Sequence, residues 1–313
     1  MPKYLIVGTG GTGGPLGSYL AKAGKDVTFV ARGNNLQAMK EHGLKVIRPN
    51  DEFVIDPIKV TTLEDYSKKA DVIFVCVKGY SLDAIIPELK RISDKDTIII
   101  PILNIFGTGG KMQEYFDETL VTDGCIYVAA QIKEPGCIQM NGDILRVIFG
   151  VRNETKAADN KAVRAEQVTK LRDIEKDLNE SGIMGVLSDN IERDALLKFS
   201  YVSAQGACGL YYNVSAGAIQ KPGEIRDCFA GLISEIDELA HAMGITFEED
   251  IVKRNLAILD DLSESATTSL QRDIAAGRDS EIDGLIYEVV RLSGKYDTKA
   301  PLYRKVAEAL KNR

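Results

Sequence analysis

Tryptophan is absent, histidine occurs twice, and the five cysteines are scattered. Each scarcity removes a class of function. His42 lies in the polar segment Lys40–Gly43, and His241 lies in the helical pattern Leu239–Met243. Neither adjoins a candidate acid, base or nucleophile, so any proton donor is expected to be a lysine, a tyrosine or a carboxyl group. Cys76, Cys125, Cys137, Cys208 and Cys228 form no C-x-x-C pair and no Cys/His spacing. No metal site is expected, and the thiols read as reduced and structural. No apolar run approaches the ~20 residues of a membrane span. The formal net charge of −7 argues against a nucleic-acid surface. The first residues enter a strand directly, without a basic segment and an apolar signal core, so a cytoplasmic setting is expected. Repeats, low-complexity tracts and long flexible linkers are also missing from the pattern.

What is present starts at Lys3. The run Lys3-Tyr-Leu-Ile-Val-Gly-Thr-Gly-Gly-Thr-Gly13 reads as a buried strand, a glycine turn and a helix continuing to about Ala23. Gly8, Gly10 and Gly13 match the G-x-G-x-x-G pattern of a dinucleotide site. The first glycine permits a tight turn, the second lets a pyrophosphate approach the backbone, and the third lets helix and strand pack closely. The pyrophosphate would sit on the helix N-terminus, where unpaired N–H groups and the helix dipole favour negative charge. Gly8, Thr9, Gly10, Gly11, Thr12 and Gly13 are therefore candidate cofactor contacts. The next strand, Asp26–Ala31, ends at Arg32. Sites for NAD place Asp or Glu there, on the ribose 2′-hydroxyl, whereas an arginine suits the 2′-phosphate of NADP. NADP is the expected cofactor; the bland alternative for Arg32 is a solvated residue opening a turn.

The 313 residues suffice for one large or two ordinary domains. Continuous apolar runs at Asp71–Val77 and Asp96–Leu103 read as parallel strands covered on both faces, with a helix at Leu82–Ile92 between them. Leu44–Ile47 and Phe53–Asp56 suggest a small hairpin insertion. Shorter strands are expected at Cys125–Ala130, Cys137–Gln139 and Ile144–Phe149, with Glu134–Gly136 and Asn141–Asp143 as turns. Glu154–Ser181 reads as an amphipathic outer helix, and Gly182–Leu187 as a last strand. From Ile191 the signals are helical. Gly209, Gly217, Gly223, Gly244 and Gly277 are expected to separate the helices, and Thr298 with Pro301 to start the last one. The expectation is an α/β, Rossmann-type parallel-sheet domain over 1–188, followed by an all-helical domain over 189–313 that handles substrate, with a cleft between them.

In an open parallel sheet, ligands bind beyond the carboxyl ends of the strands. That rule selects Lys78 and Asn104, each of which directly follows an expected strand; either could equally cap its strand at solvent. Lys198 interrupts an apolar stretch, Asp194–Ser203. Such a lysine either snorkels to water along its stem or sits desolvated in a cleft with its pKa lowered toward a general acid's range. Ser280, Glu281 and Asp283 read locally as the cap and first turn of a helix.

Taken together, these residues resemble the ketopantoate reductase (2-dehydropantoate 2-reductase) family nearly from end to end. The resemblance is carried by Gly8–Gly13, Val30–Gly33, Val77-Lys78, Asn104–Gly107, Leu197-Lys198, Ser269–Asp273, Ser280–Asp283 and Thr298–Pro301. It implies reduction of 2-dehydropantoate to pantoate with NADPH, on the route to pantothenate and coenzyme A. Lys198 matches the family's catalytic lysine, which donates a proton to the developing alkoxide. Glu281 matches a glutamate near that lysine and the cofactor. Asn104 and Ser269 match positions contacting cofactor and substrate, and Lys78 matches a cofactor-site lysine. The chain departs from the family at Val202 and Gly206, where asparagines four and eight residues after the lysine usually bind substrate. Tyr201, Ser203 and Gln205 are the polar neighbours that could stand in. Two alternatives follow: a paralogue reducing another branched 2-oxo acid, and a non-catalytic NADP-binding sensor. A small 2-oxo acid is the expected partner, and an apolar helical surface could serve a homodimer.

Overall fold

The structure is a computed structural model, and residues 1–153 and 165–311 are described. The chain forms two compact units. One comprises Met1–Leu103 and Gly107–Glu192, and the other comprises Asn104–Phe106 and Arg193–Arg313.

The first unit is built on two sheets. Strands β1 (Lys3–Val7), β2 (Asp26–Val30), β5 (Val60–Thr61), β6 (Val72–Val75), β7 (Ile98–Pro101) and β8 (Leu120–Val121) form an all-parallel sheet in the order β5-β2-β1-β6-β7-β8. Successive side chains on a strand point to opposite faces. Tyr4 and Ile6 accordingly enter one apolar cluster with Phe29, Phe74, Ile98 and Ile100, while Leu5 and Val7 enter another with Ile73, Val75 and Ile99. Burial on both faces explains why these strands read as continuous apolar runs. Each fully buried side chain of this kind contributes ~1.5–3 kcal/mol.

The second sheet runs β11-β10-β3-β4, with β9 also paired to β10. Its strands are β3 (Leu44–Ile47), β4 (Glu52–Ile55), β9 (Asp123–Glu134), β10 (Cys137–Gly150) and β11 (Met184–Leu187). The expected hairpin is present as the antiparallel pair β3–β4, with Leu44 opposite Ile55. It is not an isolated insertion, because β3 also pairs in parallel with β10. Asn141–Asp143, expected as a turn, lies inside β10, where the register against β9 shifts between Met140 and Leu145. The turn chemistry is absorbed as a bulge because apolar residues on both sides stay paired. Glu134–Gly136 does turn the chain, with Gly136 at φ 73°.

Four helices complete this unit: α1 (Gly13–Lys22), α2 (Gly33–His42), α3 (Leu82–Ile92) and α4 (Thr108–Gln113). A fifth, α5 (Ala165–Glu180), covers the described part of the expected outer helix; residues 154–164 of that expectation lie outside the described residues. Helix α1 touches both sheets. Its Gly17 faces Phe29 and Ile6, and its Gly14 faces Ile138. A helix enclosed in this way carries little polar surface, and residues Gly13–Ser18 are all buried.

The second unit is helical. It contains α6 (Ile191–Tyr211, which begins two residues before the unit does), α7 (Ala216–Gln220), α8 (Glu224–Ala242), α9 (Ile251–Asp260), α10 (Ser269–Ala275), α11 (Glu288–Lys295) and α12 (Pro301–Leu310). A π turn over Asp283–Tyr287 leads into α11. Helix α8 packs on α7, α9 and α12, with Phe229, Leu232, Ile233 and Ile236 fully buried. Gly223, Gly244 and Gly277 separate helices as expected, but Gly209 lies within α6 and Gly217 within α7. Those two glycines serve packing: a Cβ would lie 2.6 Å from Gln271 Nε2 at Gly209 and 2.7 Å from Glu264 Cβ at Gly217. The last helix starts at Pro301. The carboxylate of Glu235, on α8, accepts from the N–H groups of Leu302 at 2.7 Å and Tyr303 at 3.0 Å. It thereby supplies the cap that Ala300 has no side chain to make. Burial pushes the Glu235 carboxyl above its ordinary range. Among the described residues, no helix is long and apolar enough to cross a membrane.

Candidate active site

The glycine turn joins the end of β1 to α1, and its backbone is braced on every side but one. Gly8 has φ 101°, and a Cβ there would sit 2.9 Å from the Cys76 carbonyl group at the end of β6. At Gly13 a Cβ would overlap Gly8 O and lie 2.8 Å from Ile6 Cγ2, so helix and strand meet only because the side chain is missing. At Gly11 it would overlap Ala130 O of β9. At Gly10 it would meet nothing within 4 Å. The open position is the one a pyrophosphate approaches in a dinucleotide turn. Thr12, at the N-cap of α1, makes no side-chain cap bond, so the helix end keeps its capacity for an anion. This cradle fits a dinucleotide.

Thr9 contributes differently from expectation. Its hydroxyl is spent on Val30 O at 3.0 Å, tying the turn to β2, so only its backbone could serve a ligand. Asn35 was not anticipated. Its amide donates to Thr9 O at 3.1 Å and accepts from Gly136 N at 2.8 Å, linking the glycine turn to the β9–β10 turn. An asparagine in the first turn of a helix carries no sequence signal for this, because both partners are backbone groups set by tertiary packing. Arg32 follows β2 and stands exposed at the N-cap of α2, in extended backbone. Lys78 follows β6, half-buried at the start of the 3-10 turn Gly79–Ser81. Strands β2, β1 and β6 are neighbours, so the glycine turn, Arg32 and Lys78 gather at the carboxyl ends of three adjacent parallel strands.

The second unit carries the other group. Lys198, on α6, is only 9% exposed. Its ammonium donates to Asn104 Oδ1 at 2.6 Å. The two residues are separated by 94 positions, and the sheet rule that selected Asn104 said nothing of its pairing. A charge-assisted bond of this length fixes the direction of the ammonium group. Glu281 is also buried, at 6% exposure. It occupies the position before the helical segment opens at Ile282, and its carbonyl accepts from Leu285 N at 3.0 Å. Ser280 is therefore not the cap, and Glu281 is not in the first turn. Ser269 opens α10, half-buried, directly after the N-cap Thr268 and inside the Thr268–Gln271 capping box.

One helical face links these elements. Val202 and Gly206 follow Lys198 at spacings of four and eight, which keep them on neighbouring parts of α6. Gly206 is covered by Leu270 of α10, whose Cδ2 would lie 3.1 Å from a Cβ at that position. The place where an amide could sit is thus filled by an apolar side chain from another helix. Ser203 does not compensate, because its hydroxyl donates to Leu285 O at 2.5 Å and pairs with Tyr303 Oη at 2.7 Å. Tyr201 packs edge-on against Phe229, and Gln205 is buried on the same helix. His42 and His241 lie on helix surfaces, as expected. Among the described residues, no cluster of His, Cys, Asp or Glu could hold a metal ion. None of the five cysteines is joined in a disulfide.

Comparison with known proteins bears on the family and the fold. Residues 4–154 match the family model described as ketopantoate reductase PanE/ApbA, and residues 190–313 match that of its C-terminal part. The chain is 24% identical over 304 residues to the uncharacterized oxidoreductase YkpB of Bacillus subtilis, covering 97% of this chain and 96% of that protein. It is 25% identical over 304 residues to a 2-dehydropantoate 2-reductase of Pyrococcus horikoshii, covering 96% and 93%. Among solved structures, a 2-dehydropantoate 2-reductase from Geobacter metallireducens superposes with a TM-score of 0.87 at 20% identity over 99% of each chain. A D-mandelate dehydrogenase bound to NADH and anilino(oxo)acetate superposes at 0.82 with 21% identity, covering 98% of this chain and 96% of that one. At such identities the superpositions establish the fold alone. The two consecutive family matches go further: this chain is an oxidoreductase of the ketopantoate reductase family.

Proposed function

We propose that the protein reduces 2-dehydropantoate to pantoate with NADPH, using Lys198 as the proton donor. The pairing of buried Lys198 with half-buried Asn104, with Nζ and Oδ1 2.6 Å apart, is the observation that carries this reading. When bound, the reduced nicotinamide supplies a hydride to the keto carbon. The protein's part is to hold the keto oxygen and give it a proton. Asn104 fixes the direction of the ammonium by accepting one of its hydrogens. As negative charge develops on the oxygen, the ammonium stabilises it and transfers a proton, in a setting where burial strengthens the interaction. Glu281, a buried residue, is assigned to the same chemistry by its match to the family's glutamate; Ser269 is assigned to the substrate. Residues Gly8–Gly13 hold the pyrophosphate, Lys78 contacts the dinucleotide, and Arg32 reads the 2′-phosphate through its planar fork of donors.

A second reading draws on Val202 and on Gly206 with its Leu270 cover. An apolar wall on α6 beyond Lys198 suits a 2-oxo acid with an aliphatic or aromatic side chain better than a hydroxylated one. A polar group brought against it loses water without gaining a partner. Loss of absorbance at the nicotinamide band, followed with NADPH and 2-dehydropantoate and with NADH in parallel, tests the first reading. Rapid oxidation of NADPH alone supports it. Turnover confined to 2-oxo acids lacking a hydroxyl replaces it with the second, and cofactor binding without turnover on any 2-oxo acid leaves a sensor.

A further inference from the structure

Residues Asn104–Phe106 follow β7 in the chain but belong to the helical unit. All three are engaged there. Asn104 accepts from Lys198. Phe106 lies against Phe199 of α6, with ring centroids 6.1 Å apart. Ile105 rests directly on the backbone of Gly284. A Cβ at Gly284 would overlap Ile105 Cδ1 and lie 2.7 Å from Cγ1 and 3.0 Å from Cγ2.

This crowding differs from contact with a flexible tip. Three atoms of one β-branched side chain close over the position, and such a side chain has little rotamer freedom with which to step aside. Gly284 is also an unexpected residue for its place. It is buried within the π turn Asp283–Tyr287, three residues after Glu281. Its backbone does not occupy the left-handed region, so conformation does not call for glycine, and glycine weakens a helical segment relative to alanine. The room it leaves is filled by Ile105. A π turn widens the helix locally and is found mostly as a single turn of this kind.

We propose that Gly284 and Ile105 form a steric seat that sets Asn104 against Lys198, making both of them positioning residues for the proton donor. The seat fixes the middle residue of a three-residue segment whose first residue holds the ammonium. A displacement of about 1 Å at Ile105 is enough to take Asn104 Oδ1 out of hydrogen-bond range of Nζ. The effect on turnover rests on the reading of Lys198 as the donor; the effect on the Lys198–Asn104 bond does not.

The test is a compensation cycle in the full-length protein: Gly284→Ala, Ile105→Ala and the double variant. Turnover, KM, NADPH affinity by nicotinamide fluorescence and the 13Cε resonance of Lys198 are read in each. That resonance is assigned by its loss in Lys198→Arg. Gly284→Ala is expected to lower kcat tenfold or more and leave NADPH affinity within twofold. It should also move the Lys198 resonance and its pH titration in the same direction as Asn104→Ala. The double variant is expected to regain kcat within threefold of wild type and to restore the resonance. An unchanged resonance in Gly284→Ala overturns the proposal, as does a double variant as impaired in folding or turnover as Gly284→Ala. If the wild-type protein reduces no 2-oxo acid, the functional reading fails, while the resonance still decides the seat.

Discussion

In the first unit the candidate ligand contacts run consecutively from Gly8 to Gly13, and what they offer is backbone. In the second, Lys198 meets Asn104 across 94 positions, and what they offer is side chains. Thr9 makes the contrast plain, since its hydroxyl donates to β2 and its carbonyl accepts from Asn35, so what it can offer a ligand is its backbone N–H. A backbone site is specified by leaving side chains out, and the omissions must be adjacent. A side-chain site is specified by bringing groups together, and its members can come from anywhere that packing allows. The two kinds of site should therefore fail in different ways when altered.

The largest effect is expected at Lys198. Lys198→Ala should lower kcat by about 10²–10⁴-fold, the range for loss of a positioned acid. NADPH affinity, measured by nicotinamide fluorescence, should stay near wild type. Wild-type turnover in that variant would remove the proposed donor. The glycine turn should show the opposite separation. Gly10→Val places its side chain in open space, so the melting temperature should hold while dinucleotide binding is lost. Gly13→Ala meets backbone and Ile6 instead, and should destabilise the fold itself by roughly 1–3 kcal/mol in denaturant titrations. Equal losses of stability in both variants would dissolve the distinction.

Arg32→Ala sharpens the comparison, since Arg32 is a proposed side-chain contact to the cofactor in the unit whose glycine turn offers backbone. It should weaken NADPH roughly 10–100-fold more than NADH, in line with one lost charge-assisted contact of ~1.5–3 kcal/mol. Parallel loss for both cofactors would mean that Arg32 does not read the phosphate.

A smaller effect is expected at Glu235, which caps α12 from another helix. Glu235→Gln turns one acceptor into a donor facing an N–H, and should cost about 1–3 kcal/mol. Because burial raises this carboxyl, the folded protein retains its proton to higher pH than the unfolded chain does. The stabilisation from that group is thus present at low pH and declines as pH rises from the ordinary carboxyl range through the folded value. Melting curves from pH 4 to 8 should show that decline in the wild type and lose it in Glu235→Gln; an identical slope in both would assign it elsewhere.

Local patterns carried much of the first unit. Helix α3 spans Leu82–Ile92 as expected, and β3 and β4 pair where alternation and turn residues placed them. Errors arose where one signal had two physical uses. Asn141–Asp143 has turn chemistry but lies in a strand, and Gly209 and Gly217 have breaker chemistry but lie in helices whose neighbours need the space. Ser203 was a reasonable substitute for a missing amide until Leu285 and Tyr303 claimed its hydroxyl. Lys198 stood out locally as an interruption of an apolar stretch, but its catalytic role and any role for Glu281 rested on resemblance to a family, because a buried lysine and a helix-start glutamate have common structural uses as well.

By itself, the sequence determined the buried parallel strands, the glycine turn that leads from β1 into α1, and an arginine at the end of β2. These features depend on residues adjacent in the chain, whose backbone geometry and solvation are settled locally. Only the tertiary structure decided that the β3–β4 hairpin would join a second sheet through β10. It alone decided that Leu270 would cover Gly206, that Glu235 would cap α12, and that Asn104 would reach Lys198 beside a seat made by Ile105 and Gly284. Each of those depends on which distant surfaces fit closely enough to exclude water, and that fit is a property of the packed chain rather than of any segment of it.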